Sequence, residues 1–221
     1  MNFRHEYKHR INLLDSILVR QRLKPLMEYD ENSKDDGTYF IKSLYFDNYT
    51  DKALREKLDG VNKREKFRIR YYNNDTSFIR LEKKSKINGL CLKEKADLTV
   101  EQCQKILDND IEFLKYSNVE LMQELYAKMQ YQLLRPKNIV AYDRTCFVYG
   151  PGNVRITIDE NIRGSYNVRK FLQPDVQLTH LYHTAVLEVK WDEYIPQVIK
   201  DAVQLKNRQP SAFSKYAAVR F

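Results

Sequence analysis

The chain has 221 residues, 43% of them hydrophobic and 31% charged, with a formal net charge of +8 and a pI near 9.2. This length suits one large domain with a sizeable core, and the composition is that of a globular protein rather than a disordered one. The charge argues for an anionic partner: nucleic acid, polyphosphate, a nucleotide or a membrane surface. No apolar stretch approaches the ~20 residues that span a bilayer. The start, Met1 to Lys8, lacks the apolar core of a signal peptide. Cys91, Cys103 and Cys146 share no metal-ligand or redox spacing, and their odd number argues against a disulfide framework. These features predict a reduced, cytoplasmic protein. No linker rich in Gly, Pro or Ser divides the sequence and no repeat is visible, so a single domain over 1–221 is expected.

In chain order, the first strand-like run covers 3–11. An amphipathic helix follows over 13–28, with Leu14, Ile17, Leu18 and Leu23 at roughly helical spacing. A second strand is expected at 39–47. The run 64–72 is the most informative segment: Arg64, Lys66, Arg68 and Arg70 alternate with Glu65, Phe67, Ile69 and Tyr71. A period of two is that of a strand, with Phe67, Ile69 and Tyr71 in a core and four cations on the other face. Like charges spaced ~7 Å apart repel unless an anion or interleaved carboxylates neutralise them. Strands at 77–85 and 90–96 flank Gly89, and those at 138–147 and 153–160 flank Pro151-Gly152, which predicts two hairpins. Between the hairpins, Ser117 and Glu120 resemble a capping box opening a helix over 118–134. Leu121, Leu125, Met129 and Leu133 form its apolar face, and Arg135-Pro136 ends it. A last strand at 183–190 and an amphipathic segment at 195–206 complete the chain.

Eight strand-like runs joined by hairpins imply a mostly antiparallel sheet. Charged faces recur along it. Glu-x-Lys appears three times, as Glu6-Lys8, Glu82-Lys84 and Glu188-Lys190. Arg4 and Arg10 share the face of Glu6, and Arg80 that of Glu82. Lys93 and Lys95 lie opposite Leu90 and Leu92, and Arg155, Thr157 and Asp159 alternate with Ile156 and Ile158. Two architectures accommodate this: an open sheet with its charged face in solvent, or a barrel with charged faces inward and helices outside. The number of apolar helices and the chain length favour the second. The expected fold is therefore α+β, an eight-stranded antiparallel barrel with a basic lumen and helices packed outside.

Each signal has an ordinary explanation. A single Glu-x-Lys is usually a surface ion pair worth little. A lone basic row is more often a nucleic-acid face. Single-strand readers, however, place aromatics on the basic face, whereas Phe67 and Tyr71 lie opposite, which counts against nucleic acid. His5, His9, His180 and His183 show no metal spacing and are assigned surface or packing roles.

Seven strings occur in the order seen in the VTC (vacuolar transporter chaperone) domain of the triphosphate tunnel metalloenzyme superfamily. They are Ser43-Leu-Tyr-Phe-Asp47, Arg64 to Arg70, Glu82-x-Lys84, Tyr142-Asp-Arg144, Arg155 to Asp159, Glu188-Val-Lys190 and Ser214-Lys-Tyr216. The resemblance covers about residues 3 to 217. It implies an antiparallel eight-stranded tunnel and, from the best-known members, an ATP-dependent polyphosphate polymerase using Mn²⁺ or Mg²⁺. Carried over by motif, Arg68, Arg70, Lys84 and Lys190 take the catalytic positions. Lys8, Arg64, Lys66, Lys93, Arg144, Arg155 and Lys215 hold phosphate, joined by Lys206 from its place in the terminal helix. The resemblance implies Glu188 as the metal carboxylate, assisted by Glu6 and Glu82. The wider superfamily often opens with Glu-x-Glu-x-Lys. Here Arg4 stands at the first position, which disfavours two-metal triphosphate hydrolysis. Eukaryotic members add a regulatory domain and membrane helices that this sequence lacks, so a stand-alone bacterial member or an excised catalytic domain both fit. The implied partners are ATP and inorganic polyphosphate, with room for a membrane protein that receives the product. A triphosphate or nucleoside triphosphate hydrolase and a non-catalytic polyphosphate or nucleic-acid binder are the alternatives.

Overall fold

The eight expected strands all form, joined by two additional two-residue strands, in a computed structural model that describes residues 5–88, 90–181, 184–206, 208–210 and 212–220. Arg4, Gly89 and His183 lie outside the described residues. The strands are β1 (His5–Ile11), β2 (Glu28–Tyr29), β3 (Thr38–Asp47), β4 (Arg64–Tyr72), β5 (Asp75–Ile87), β6 (Leu90–Leu98), β7 (Arg135–Tyr149), β8 (Val154–Ser165), β9 (Thr179–His180) and β10 (Ala185–Trp191). The helices are α1 (Leu13–Leu23), α2 (Lys52–Leu58), α3 (Val100–Leu107), α4 (Glu112–Lys115), α5 (Glu120–Tyr131), α6 (Gln197–Val203) and α7 (Lys215–Ala218). The main path of the sheet runs β1-β10-β8-β7-β3-β4-β5-β6, with β2 beside β7 and β9 beside β8. Every register described below is antiparallel, so the α+β antiparallel class expected from the sequence is the one observed.

The chain divides into two compact units, each assembled from three separate segments: residues 1–40, 142–162 and 180–214, and residues 41–141, 163–179 and 215–221. In the first unit, α1 and α6 supply Val19, Leu23, Ile199 and Ala202 to a core with Ile156, Ile158, Leu187 and Val189. In the second, Phe67, Ile69, Tyr71 and Leu81 meet Cys103, Ile106, Leu114, Leu125 and Met129 from α3 to α5. Each core thus lies on the apolar side of its strands, as period-two alternation requires. No helix among the described residues is long and apolar enough to cross a membrane.

Turn chemistry fixes the registers. Asn73 and Asn74 both adopt positive φ (51° and 56°) between the paired residues Tyr72 and Asp75, the two-residue hairpin geometry that asparagine tolerates best. At the β7–β8 turn Gly152 has φ 74°, and a Cβ there would sit 2.2 Å from the Tyr194 carbonyl oxygen. No other residue fits.

Three local expectations are corrected. Helix α1 buries Ser16, Val19 and Leu23 and exposes Leu14, Ile17 and Leu18. Ser16 and Arg20 both bond the Glu160 carboxylate and Arg20 also reaches Thr145 at 3.2 Å, which sets the rotation of the helix. The capping box of α1 is Asn12 with Asp15, and that of α3 is Thr99 with Gln102. Ser117 instead makes a local turn, accepting from the Val119 amide at 3.1 Å, so α5 starts at Glu120, too late for a box with Ser117. That helix ends at Tyr131, and Leu133 lies beyond it, half exposed with φ 52°. Leu90 and Leu92 alternate with the lysines of β6 as expected and are exposed, while Ala96 and Leu98 further along the strand are buried.

Candidate functional site

Residues directly opposite one another in an antiparallel pair share a face. In the second unit the registers of β3 to β6 therefore build cross-strand rows. Ser43, Arg70, Arg80 and Asp97 form one row, and Tyr45, Arg68, Glu82 and Lys95 the next. Lys66, Lys84 and Lys93 follow, then Arg64 and Lys86. Nine cations thus share a face with two carboxylates, Glu82 and Asp97. Between them Phe67, Ile69, Tyr71 and Leu81 fill the core behind, and Lys83 on that side pairs with Glu65, Glu94 and Glu124.

Glu82 is the hub of this face. Arg68 grips it through Nε at 2.7 Å and Nη2 at 2.6 Å, and Lys93 takes its other oxygen. Burial favours the neutral acid, but the charges of Arg68, Arg70 and Lys93 outweigh it and hold the carboxyl down to about 2. Both Glu82 oxygens are therefore occupied by cations. Lys93 itself is pushed below the usual lysine range by burial. Arg70, also buried, donates from Nε to Ser43 Oγ at 3.0 Å. The remaining Arg68 donor, Nη1, reaches Tyr45 Oη at 3.1 Å. Tyr45 stacks on Tyr216, ring centroids 5.1 Å apart, and Tyr216 donates to Asp47 at 2.6 Å. Lys215 begins α7 beside Tyr216. Arg64 donates to the Val61 carbonyl at the start of β4.

The first unit carries its own charged cluster on β1, β10 and β8. Glu6, Lys190 and Arg155 form one row, and Lys8, Glu188 and Thr157 the next. Lys8 pairs with Glu6 and approaches Glu188 at 3.9 Å. Lys190 pairs with Glu188 and approaches Glu6 at 3.7 Å. Burial alone would raise the Glu188 pKa, yet Lys190, Lys8 and Arg144 bring it well below the carboxylate range. Burial lowers the Lys8 pKa, but Glu188 and Glu6 reverse this and raise it. Arg144 makes a bidentate contact with buried Asp159, at 2.6 and 2.8 Å. Arg155 pairs with Asp30 at 2.8 Å and reaches Tyr39 Oη at 3.5 Å.

Each face also holds a buried polar group without a partner among the described residues: Thr157 Oγ1 in the first unit, and both amide atoms of Asn138 in the second. Such groups are rare in native structures and mark places where water, an ion or a ligand completes the bonding. Thr157 lies opposite Glu188 in the β8–β10 register. Glu6, Glu188 and the Thr157 hydroxyl are hard oxygen donors, which suit Mg²⁺ or Mn²⁺ when substrate phosphates complete the shell. Among the described residues no three His, Cys, Asp or Glu side chains converge on a ready-made metal cage.

The alternating cations fall on the faces expected of them. Two of the three Glu-x-Lys patterns are direct ion pairs, while Glu82 pairs across strands rather than with Lys84. Lys206 lies in a turn beyond Val203, where α6 ends, and is exposed, so its supposed helical placement is corrected. Tyr45, Asn138 and Asp30 were missed. For Tyr45 the signal is simple: it sits two residues from Ser43 and Asp47 and shares their face.

Among solved structures, a Hippeastrum protein named as a candidate adenylyl cyclase with a dominant triphosphatase activity is 16% identical, with TM-score 0.59, covering 99% of this chain and 95% of its own. The PH1012 protein of Pyrococcus horikoshii is 12% identical, with TM-score 0.54, covering 98% of this chain and 99% of its own. At such identities the likeness shows the fold alone. None of the curated proteins matches the sequence. The sequence profile of the VTC domain matches residues 3–220. With its antiparallel α+β fold and cation-lined strand faces, the chain belongs to the VTC domain family.

Proposed function

We propose that this protein is a polyphosphate polymerase, which transfers the γ-phosphoryl group of ATP to the end of a growing inorganic polyphosphate chain. The observation that carries the proposal is the β4–β6 face, where nine cations stand against two carboxylates. A linear polyanion supplies the charge such a face lacks. In the reaction the β–γ phosphoanhydride of ATP breaks and ADP leaves with the bonding electrons. A terminal oxygen of the polyphosphate chain forms the new bond. That oxygen is already an anion, so no base has to remove a proton. Positioning and charge neutralisation carry most of the rate, the usual case in phosphoryl transfer.

In the second unit Arg68, Arg70 and Lys84 are the proposed catalytic cations, with Lys66, Lys93, Arg64 and Lys215 holding phosphate. Arginine grips two phosphate oxygens at once, and lysine acts as a mobile point charge. In the first unit Lys190 is proposed to act with Lys8, Arg144 and Arg155 on phosphate, and Glu188 with Glu6 to hold Mg²⁺ or Mn²⁺. When bound, such an ion supplies Lewis-acid polarisation of phosphate oxygens. Lys206 is the weakest member, in an exposed turn; Glu82 is held by Arg68 and Lys93, and Glu188 and Glu6 by Lys190 and Lys8, so a metal at any of these carboxylates displaces a cation. ATP and polyphosphate are the partners, and a cytoplasmic setting suits the three free cysteines.

Hydrolysis of triphosphate is the second reading, favoured by the triphosphatase activity named for the Hippeastrum neighbour. Incubation with ATP and Mn²⁺, followed by gel separation of polymer from free phosphate, decides between them. Polymerase activity gives long polymer. Phosphate without polymer supports hydrolysis. Arg70→Ala and Arg68→Lys should each abolish polymer while keeping the circular dichroism of the wild type. Undiminished yield from either variant refutes their catalytic role.

A further inference from the structure

Among the described residues, Tyr45 is the one acidic side chain of the Lys66–Arg68–Arg70 cluster that phosphate chemistry does not employ. Its ring is buried. Arg68 Nη1 donates to its oxygen at 3.1 Å, and the Lys66 ammonium and Arg68 guanidinium lie 5.9 Å from the ring centroid. The phenol accepts that bond and, among the described residues, donates to none. Its own proton therefore has no acceptor, whereas its oxygen has a cationic donor. On the other flank stands Tyr216, whose hydroxyl donates to Asp47 and so stays protonated. Lys215 precedes Tyr216, and Glu82 of β5 is held on the far side of Arg68. Strand β7, the other neighbour of β3, carries no titratable side chain from Asn138 to Ala141.

We infer that the Tyr45 oxygen is the built-in counter-anion of this cation cluster, and that an incoming phosphate displaces it, with uptake of a proton by the phenol. The inference rests on the phosphate-binding reading of the face and adds a proton to each binding event. Burial by itself would raise the Tyr45 pKa, but Arg68, Lys66 and Arg70 overcome it and bring the phenol down to about 7. Phosphate at those cations cancels their effect, so the pKa returns upward and the phenolate takes a proton. By linkage, phosphate affinity then falls as pH rises through about 7, by roughly tenfold for each unit beyond.

The test uses inorganic tripolyphosphate and the full chain. Binding heats in two buffers of different ionisation enthalpy give the protons taken up, and the near-ultraviolet absorbance of tyrosinate reports Tyr45 directly. Wild type should take up about half a proton more than Tyr45→Phe at about pH 7, and close to one more at about pH 8.5. The tyrosinate absorbance should drop on binding. Tyr45→Phe should bind roughly tenfold more tightly than wild type at about pH 8, with the two equal near pH 6. Equal proton uptake in both proteins, with binding intact, overturns the role of Tyr45 alone. Absence of tripolyphosphate binding by the wild type overturns the phosphate reading and this inference together. Should Tyr45→Phe fail to fold, an unchanged tyrosinate signal on binding by the wild type is sufficient to overturn the inference.

Discussion

Glu82 illustrates how a charged face is held together when no ligand neutralises it. Its carboxylate is buried and clasped by Arg68 and Lys93, so its ionised form stabilises the fold. The folded pKa is depressed from 4.5 to about 2. The contribution is therefore complete above pH ~4.5 and is lost as pH falls towards about 2. It amounts to on the order of 3 kcal/mol. Glu82→Gln should lose about that much stability at pH 7, and its urea-unfolding curve should converge with wild type in strong acid. A parallel loss at every pH contradicts this assignment. In the other unit, Glu188→Gln should remove metal-dependent turnover and still bind polyphosphate. Retention of full activity takes Glu188 out of the metal role. At this scale the sequence is most legible where charge alternates with apolar residues, as in Arg64 to Arg70. It is least legible where a side chain owes its role to strand pairing. Glu82 lies between Arg68 and Lys95 only because β4, β5 and β6 pair in that register, and no local pattern specifies those partners.

Among the elements, the strands were readable because one face of each is apolar and the other polar, a contrast that period two makes visible. Helix α1 was readable as a helix, but its buried face was not, because it carries two apolar stripes. Leu14, Ile17 and Leu18 form the larger one, but the polar partners of Ser16 and Arg20 turn Val19 and Leu23 inward instead. Polar contacts at a distant carboxylate, Glu160, leave no trace in the spacing of the helix itself. Leu23→Ala should cost about 2–5 kcal/mol in denaturant unfolding, the range for a fully buried leucine. Leu14→Ala should change stability by less than about 0.5 kcal/mol, as exposed positions do. A reversed ranking would mean that the larger stripe is the buried one. The missed hairpin at Asn73-Asn74 was available in principle, since paired asparagines tolerate the left-handed conformations that a two-residue turn demands.

For the whole molecule, the antiparallel α+β class was expected from the sequence, and the family match bears out the resemblance. The two compact units each gather three segments separated by the other's, and no linker marks the boundaries. Each unit has an apolar side under helices and a charged side, where arginine and lysine far outnumber carboxylates in the second unit and are nearly matched by Glu6, Glu188, Asp159 and Asp30 in the first. The central claim is that these cations recognise linear phosphoanhydrides rather than polyanions in general. The direct measurement is the equilibrium affinity of the full chain for polyphosphate and for single-stranded RNA of equal charge, at one salt concentration, in wild type and Arg70→Ala. Polyphosphate should bind at least tenfold more tightly than RNA, and the substitution should remove most of that preference. Equal affinities for the two polymers, or an undiminished preference in the variant, would contradict the account.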